Sequence, residues 1–201
     1  MPSEEIKDPF IWVKDNALPK DICKETINRF ERYKNHQQQG IIGKGIDVKI
    51  KDSQDLLISS WMDFRDICMI LTAITSEELF NYRNHCSKLN KKSFTTNSDI
   101  SLTLPSSVIE NLIVDRHQVQ KTSSGKGYTW HNDTVSYERR VLTYIYYLND
   151  VEDGWTEFWQ GDKIAPKEGR LLIFPSIWTY FHQGYPPKQD KYISIGWASC
   201  F

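Results

Sequence analysis

The sequence predicts an α+β fold, mainly β, in which a helical first half buttresses a β-sandwich or barrel. Three observations carry this. Apolar residues recur at three-to-four spacing as far as about residue 82. After Val108 the pattern changes to short runs rich in β-branched and aromatic residues, separated by Gly, Pro and Asp turns. Aromatics make up 13% of the chain and crowd its second half, which suits a β-rich core around a lined cavity.

Segment 19–37 is expected to be helical, opened by Pro19, with Ile22, Thr26, Ile27, Phe30 and Tyr33 on one side. Gln37-Gln38-Gln39-Gly40 ends it, and Gly40, Gly43 and Gly45 make a loop. A second helix is expected from Asp52 to Tyr82, with Ser53 and Asp55 as caps and Leu56, Leu57, Ile58, Trp61, Phe64, Ile67, Cys68 and Leu71 as its apolar residues. Ser76-Glu77-Glu78 offers a restart as a third helix. Residues 86–108 are rich in Ser, Thr and Lys and read as loop or edge. Strands are expected at Ile113–Gln120, Arg140–Leu148, Glu157–Trp159, Arg170–Phe174, Trp178–His182 and Tyr192–Ser199. With no internal repeat and no long linker, residues 1–201 read as a single domain. In it, 1–107 are the largely helical support and 108–201 the core.

The 25 Lys+Arg against 26 Asp+Glu leave a net charge of −1, without the surplus that a dedicated nucleic-acid or anionic-membrane binder needs. Met1-Pro2-Ser3-Glu4-Glu5 does not begin a secretory signal, and no stretch approaches the ~20 apolar residues of a membrane span. The four cysteines, at 23, 68, 86 and 200, form no CxxC pair and read as reduced thiols. A cytoplasmic location, with no nucleic acid and no membrane as partner, is therefore expected.

Trp130-His131-Asn132-Asp133 is the first segment that can do chemistry. In an extended segment residues i and i+2 point to one face, so His131 and Asp133 can meet at one metal ion. Alone the pair fits a turn with a capping Asp equally well. His182, before the turn Gly184-Tyr185-Pro186-Pro187, supplies a third ligand. Two His and one carboxylate on one side of a metal form the facial triad of non-haem Fe(II) oxygenases, whose open positions take a co-substrate and O2.

Lys191 lies nine residues past His182 and shares parity with Ile193, Ile195 and Trp197. If that face is core, Lys191 points inward, where it needs an anion. An edge Lys that blunts aggregation fits the spacing too. If the strands flanking residues 184–190 pair antiparallel, Lys191 approaches the metal from the next strand. On Arg140–Leu148, Val141, Thr143, Ile145 and Tyr147 share a face, which would bring the Thr143 and Tyr147 hydroxyls toward the same anion.

Six segments, in order, resemble the 2-oxoglutarate- and Fe(II)-dependent dioxygenases, most closely their prolyl 4-hydroxylase-like branch. They are His131-Asn132-Asp133-Thr134, Leu142–Asn149, Gly154-Trp155-Thr156-Glu157-Phe158, Gly169–Pro175, His182-Gln183-Gly184, and Lys191-Tyr192 with Trp197. The resemblance covers roughly Val108 to Phe201. It implies a double-stranded β-helix (jelly-roll) with N-terminal helices packed on one sheet. It implies Fe(II) on His131, Asp133 and His182, and 2-oxoglutarate with its far carboxylate on Lys191 and Tyr147, with Thr143 beside them by the shared face of its strand. Ascorbate is a candidate reductant.

By position, Arg140 would lie near the substrate, Trp155 is a further candidate to touch it as an aromatic, and loops Ser123–Gly127 and Val151–Trp155 would close over it. The reaction implied is hydroxylation of a prolyl residue in a peptide or protein, with O2 consumed and succinate and CO2 released. Tyr128, Trp130 and Trp155 are available to stack on a proline ring, whereas Trp178 reads rather as core. Two departures bear on the substrate. No Tyr stands in Gln118–Thr122, and Trp155 replaces the second Gly of the Gly-Gly-x-Thr turn. The same chemistry on a free amino acid or small metabolite, and an inactive jelly-roll that binds a peptide or sugar, remain alternatives.

Overall fold

A computed structural model describes residues 6–89, 112–114, 116–134 and 139–200. Of the stretch 86–108, expected as loop or edge, residues 86–89 are instead the last turn of a long helix, where Cys86 is buried in the core, and 90–108 lie outside the described residues. The described elements are β1 (Trp12–Lys14), α1 (Lys20–Arg32), β2 (Gln38–Gln39), β3 (Gln54–Leu57), α2 (Arg65–Leu89), β4 (Ile113–Val114), β5 (Gln118–Thr122), β6 (Tyr128–His131), β7 (Arg140–Tyr147), β8 (Thr156–Phe158), β9 (Lys163–Ile164), β10 (Leu171–Pro175), β11 (His182–Gly184) and β12 (Lys191–Ser199).

The strands form two antiparallel sheets. The larger has eight strands in the order β1-β10-β7-β12-β5-β3-β2, with β4 also on β12; the smaller has the order β6-β11-β8-β9. This is the jelly-roll arrangement with helices on one sheet. Alternation along β7 sorts its side chains. Tyr144 and Tyr146 join Cys23 and Phe30 of α1 and Ile67, Leu71 and Tyr82 of α2 in the core on the helical side. Ile145 and Tyr147 join Phe158 and Ile164 of the small sheet in a second core between the sheets.

A polar tie fixes α2 to the large sheet. His117 is buried and meets Thr72 Oγ1 through Nε2 at 2.8 Å and the Tyr144 hydroxyl through Nδ1 at 2.9 Å. Burial pushes its imidazole pKa down to about 4, which keeps the ring neutral. At Gly196 on β12 any Cβ would overlap the Tyr144 hydroxyl and the Arg116 carbonyl, so the sheet admits only glycine there.

The structure corrects several expected elements. The helix expected from Asp52 is instead β3, two 3-10 turns (Ile58–Ser60 and Met62–Phe64) and then α2. Leu56 packs in the helical-side core while Asp55 faces the other way. That two-residue period matches a strand held between β2 and β5. No helix restarts at Ser76: α2 runs through it, and its hydroxyl donates to the Thr72 carbonyl at 2.8 Å rather than capping. Ile113–Gln120 divides into β4 and β5. Trp178 is not core; it sits in a turn, 74% exposed, and only His182–Gly184 of that region is strand. Among the described residues no helix is long and apolar enough to cross a membrane.

Candidate active site

β6 and β11 pair so that His131 lies directly opposite His182. Asp133 follows two residues after His131, and the Asx turn from Thr134 N–H to Asn132 Oδ1 (3.0 Å) bends the chain there. One ligand atom from each of His131, Asp133 and His182 falls within 4.8 Å of the other two. The Nε2 atoms of His131 and His182 each lie 3.9 Å from a different Asp133 oxygen.

Each imidazole is oriented by its other nitrogen. His131 Nδ1 lies 2.7 Å from the Thr129 carbonyl and His182 Nδ1 lies 3.0 Å from the Tyr180 carbonyl. A carbonyl only accepts, so both Nδ1 atoms carry the proton and both Nε2 lone pairs face Asp133. Burial, with His182 alongside, lowers the His131 pKa and keeps that ring neutral. Burial by itself would raise the Asp133 carboxyl, but its pKa lies below the ordinary value, and the Thr143 hydroxyl and the nearby Arg140 favour the ionised form. Two imidazole Nε2 atoms and one carboxylate, each held from behind, are a donor set that fits Fe(II).

The triad opens into a cavity of about 760 Å³ between the sheets. Lys191, Ile193, Ile195 and Trp197 all line it, as their shared parity implies. Lys191 is only 5% exposed. Its Nζ donates to the Gly154 carbonyl at 2.7 Å, and among the described residues no carboxylate pairs with it. Burial lowers its pKa to about 8. Gly154 has φ +64°, and a Cβ there would come 2.8 Å from Pro187 Cβ, so glycine sets this carbonyl in place. β11 and β12 are in different sheets, contrary to the antiparallel pairing considered for them. Lys191 reaches the cavity from the wall across from the triad, because residues 185–190 cross from one sheet to the other.

The remaining expected residues divide. Thr143 Oγ1 donates to Asp133 Oδ2 at 2.7 Å and lies 2.9 Å from Ser176 Oγ, so its hydroxyl serves the triad carboxylate and not an anion at Lys191. The Tyr147 hydroxyl is buried behind Thr156, 2.6 Å from its Oγ1, and it is Thr156 that lines the cavity. Arg140 lines the cavity, with its guanidinium 3.6 Å from the Trp197 ring centroid and Nη1 3.4 Å from the Asp133 carbonyl. Trp155 does not line it. Thr156 turns inward, and Trp155 stacks outside on Tyr185 (4.2 Å between centroids) beside Lys163.

Several lining residues were missed as site residues in the sequence. Thr156 lay in the quoted turn motif. Gln118, Gln120 and Thr122 share parity on β5, a signal that was present but unused. Lys51 and Asp55 form a buried ion pair at 2.6 Å on the same wall, hidden by reading Asp55 as a helix cap. Tyr128 stacks on His131 with centroids 3.4 Å apart.

Residues 117–199 match the sequence profile described as the 2OG-Fe(II) oxygenase superfamily. No curated protein sequence matches the chain significantly. Solved structures do. A prolyl hydroxylase from Trichoplax adhaerens, in complex with a hypoxia inducible factor oxygen degradation domain peptide fragment, is 17% identical with TM-score 0.71, over 95% of this chain and 84% of that one. The viral collagen prolyl hydroxylase of Paramecium Bursaria Chlorella virus-1, as its 2OG complex, is 18% identical with TM-score 0.65, over 96% of both chains. A Pseudomonas putida prolyl-4-hydroxylase is 15% identical with TM-score 0.66, over 94% and 92%.

Proposed function

Residues 117–199 match the 2OG-Fe(II) oxygenase superfamily, and from that match we propose that the chain is such an oxygenase and hydroxylates a prolyl residue within a peptide or protein. His131, Asp133 and His182 would hold Fe(II), and Lys191 the far carboxylate of 2-oxoglutarate. One observation carries the reading: two Nε2 lone pairs and a carboxylate converge on one side of the cavity, and a buried ammonium with no carboxylate partner among the described residues stands on the other.

When bound, iron and 2-oxoglutarate supply the redox chemistry, in which decarboxylation to succinate and CO2 is coupled to hydroxylation of a C–H bond by O2. The residues of this chain bind and orient. The Thr129 and Tyr180 carbonyls keep both imidazoles in the ligating tautomer. Thr143 fixes the rotation of the Asp133 carboxylate. Lys191 gives the co-substrate a charge-assisted hydrogen bond in a wall that excludes water. The Tyr147 and Thr156 hydroxyls share a hydrogen bond of 2.6 Å; with Tyr147 as its donor, the Thr156 proton is left to point at the same carboxylate. Arg140, spread on Trp197, faces the substrate side of the cavity. Trp155, outside the lining, has no part in this reading.

The peptide reading draws support from the Trichoplax adhaerens structure, a prolyl hydroxylase seen with a peptide fragment. A net charge of −1 favours a peptide over a nucleic acid. Four free cysteines, two of them buried, suit the reducing cytoplasm. The test is succinate release with proline-rich peptides beside free proline, other amino acids and methylated oligonucleotides. Stimulation by proline-containing peptides is expected; stimulation only by a free amino acid or an oligonucleotide overturns the peptide substrate.

A further inference from the structure

Asp55 of β3 and the inward residues of β5 make one wall of the cavity polar, whereas the middle of the β7–β12 face, between Arg140 and Lys191, is apolar. Ile145, Ile193, Ile195 and Trp197 line the β7–β12 side of the cavity, whereas Asp55, Gln118 and Gln120 line the other. Burying such groups is costly unless they are used. Asp55 Oδ2 accepts from Gln118 Nε2 at 2.7 Å, Gln120 Nε2 at 3.4 Å and Lys51 Nζ at 2.6 Å, and its Oδ1 accepts from Ser53 Oγ at 2.7 Å. A carboxylate only accepts, so both glutamine amides must turn their nitrogens to Asp55. Their carbonyl oxygens are thereby pointed away from it. Neither oxygen has a hydrogen-bond partner among the described residues, and neither is a buried orphan, so both look into the cavity.

The two acceptors stand at positions i and i+2 of one strand, a spacing of roughly 6.6 Å at the usual rise per residue. An extended peptide repeats at that same distance, with alternate main-chain N–H groups on one side. A proline has no N–H, and it pushes the residue before it into extended conformation. The donors on either side of a central proline therefore belong to the residues just before and just after it, which are themselves two apart.

We propose that Gln118 and Gln120 are specificity-determining residues that accept the main-chain N–H groups of the two residues flanking the target proline, with Asp55 and Lys51 holding the amides in that orientation. This rests on the prolyl reading above and deepens it. A free amino acid offers no such pair of donors, so the wall selects a chain over a metabolite.

The test is calorimetric binding to the full chain loaded with Mn(II) and 2-oxoglutarate without O2, so that the readout is affinity and not turnover. The probes are capped Ala-Ala-Pro-Ala-Ala and its analogue with esters in place of the amides that supply the two flanking N–H groups. The wild type should bind the ester analogue about tenfold more weakly, the loss of two modest hydrogen bonds. The double variant Gln118→Leu/Gln120→Leu should bind the amide peptide about as weakly, with no further penalty for the ester, because the two changes remove the same interaction.

Binding of 2-oxoglutarate to the double variant should equal wild type, which also reports that it is folded; Gln118→Leu alone serves if the double variant is not. An equal ester penalty in wild type and variant overturns the assignment, as does failure of wild type to bind the peptide. Loss of 2-oxoglutarate affinity in a variant with an unchanged thermal melt also overturns it, and assigns the wall to the co-substrate instead. Iron and 2-oxoglutarate binding by wild type judge the oxygenase reading separately.

Discussion

His131 and His182 face each other across the β6–β11 pair with ring centroids 4.2 Å apart, and each donates its Nδ1–H to the carbonyl two residues before it. The same local device, repeated on two strands, aims two lone pairs at one point. Two flanking strands of the small sheet thus set the ligand geometry before Asp133 closes it.

Removing any triad ligand should abolish stoichiometric iron. Iron content is to be measured in wild type, His131→Ala, Asp133→Ala and His182→Ala after checking that each is folded. Unchanged metal in folded variants would refute the assignment. Thr143→Val leaves all three ligands but frees the Asp133 carboxylate, so a metal titration should show affinity about tenfold weaker.

Lys191→Ala should weaken 2-oxoglutarate binding about ten- to a hundredfold, the worth of a charge-assisted hydrogen bond, while iron binding survives. The wild-type affinity should also depend on pH. The free protein holds Lys191 with a pKa of about 8, and an anion bound to it raises that value. Affinity should therefore be flat below about pH 8 and fall above it. A 2-oxoglutarate titration from pH 6.5 to 9.5 reads this directly, and Lys191→Ala should flatten the profile.

His117 should make stability fall with acid. Its folded pKa of about 4 lies below the ordinary value near 6.5, so the unfolded chain binds the proton more readily. The contribution is full above about pH 6.5 and is lost as pH falls toward about 4. Urea melts of wild type and His117→Gln at pH 7.5 and 5 should differ in their pH dependence, with wild type losing more.

Gly196→Ala should destabilise the fold by about 3 kcal/mol, because the new methyl meets the Tyr144 hydroxyl and the Arg116 carbonyl in a packed sheet. The urea midpoint should drop, and the His117–Tyr144 contact should loosen with it. A midpoint equal to wild type would show that Tyr144 can retreat without cost.

Most of the site was legible because strand parity is local. Ile193, Ile195 and Trp197 pointed to an inward face whose parity Lys191 shares, although an edge position fitted the spacing as well, and all four line the cavity. His131 and Asp133 needed only the i, i+2 rule to meet. Less legible were the roles of hydroxyls. Thr143 and Tyr147 stand on the expected face of β7, yet neither was expected to bond what it does. A hydroxyl bonds whatever partner arrives, and those partners come from β8 and from the turn after β6.

The sequence by itself determined the alternation of the β7 and β12 side chains, the order of the triad and the family resemblance, since each is written in neighbouring residues. Only the tertiary structure decided that Gln54–Leu57 is a strand, that Lys191 faces the triad from the opposite sheet, and that Gln118 and Gln120 turn their amides to Asp55. The physical reason is the same in all three. The deciding hydrogen bonds join residues far apart in the chain, and a local apolar pattern such as Leu56-Leu57-Ile58 fits a helix or a strand until β5 supplies the partner.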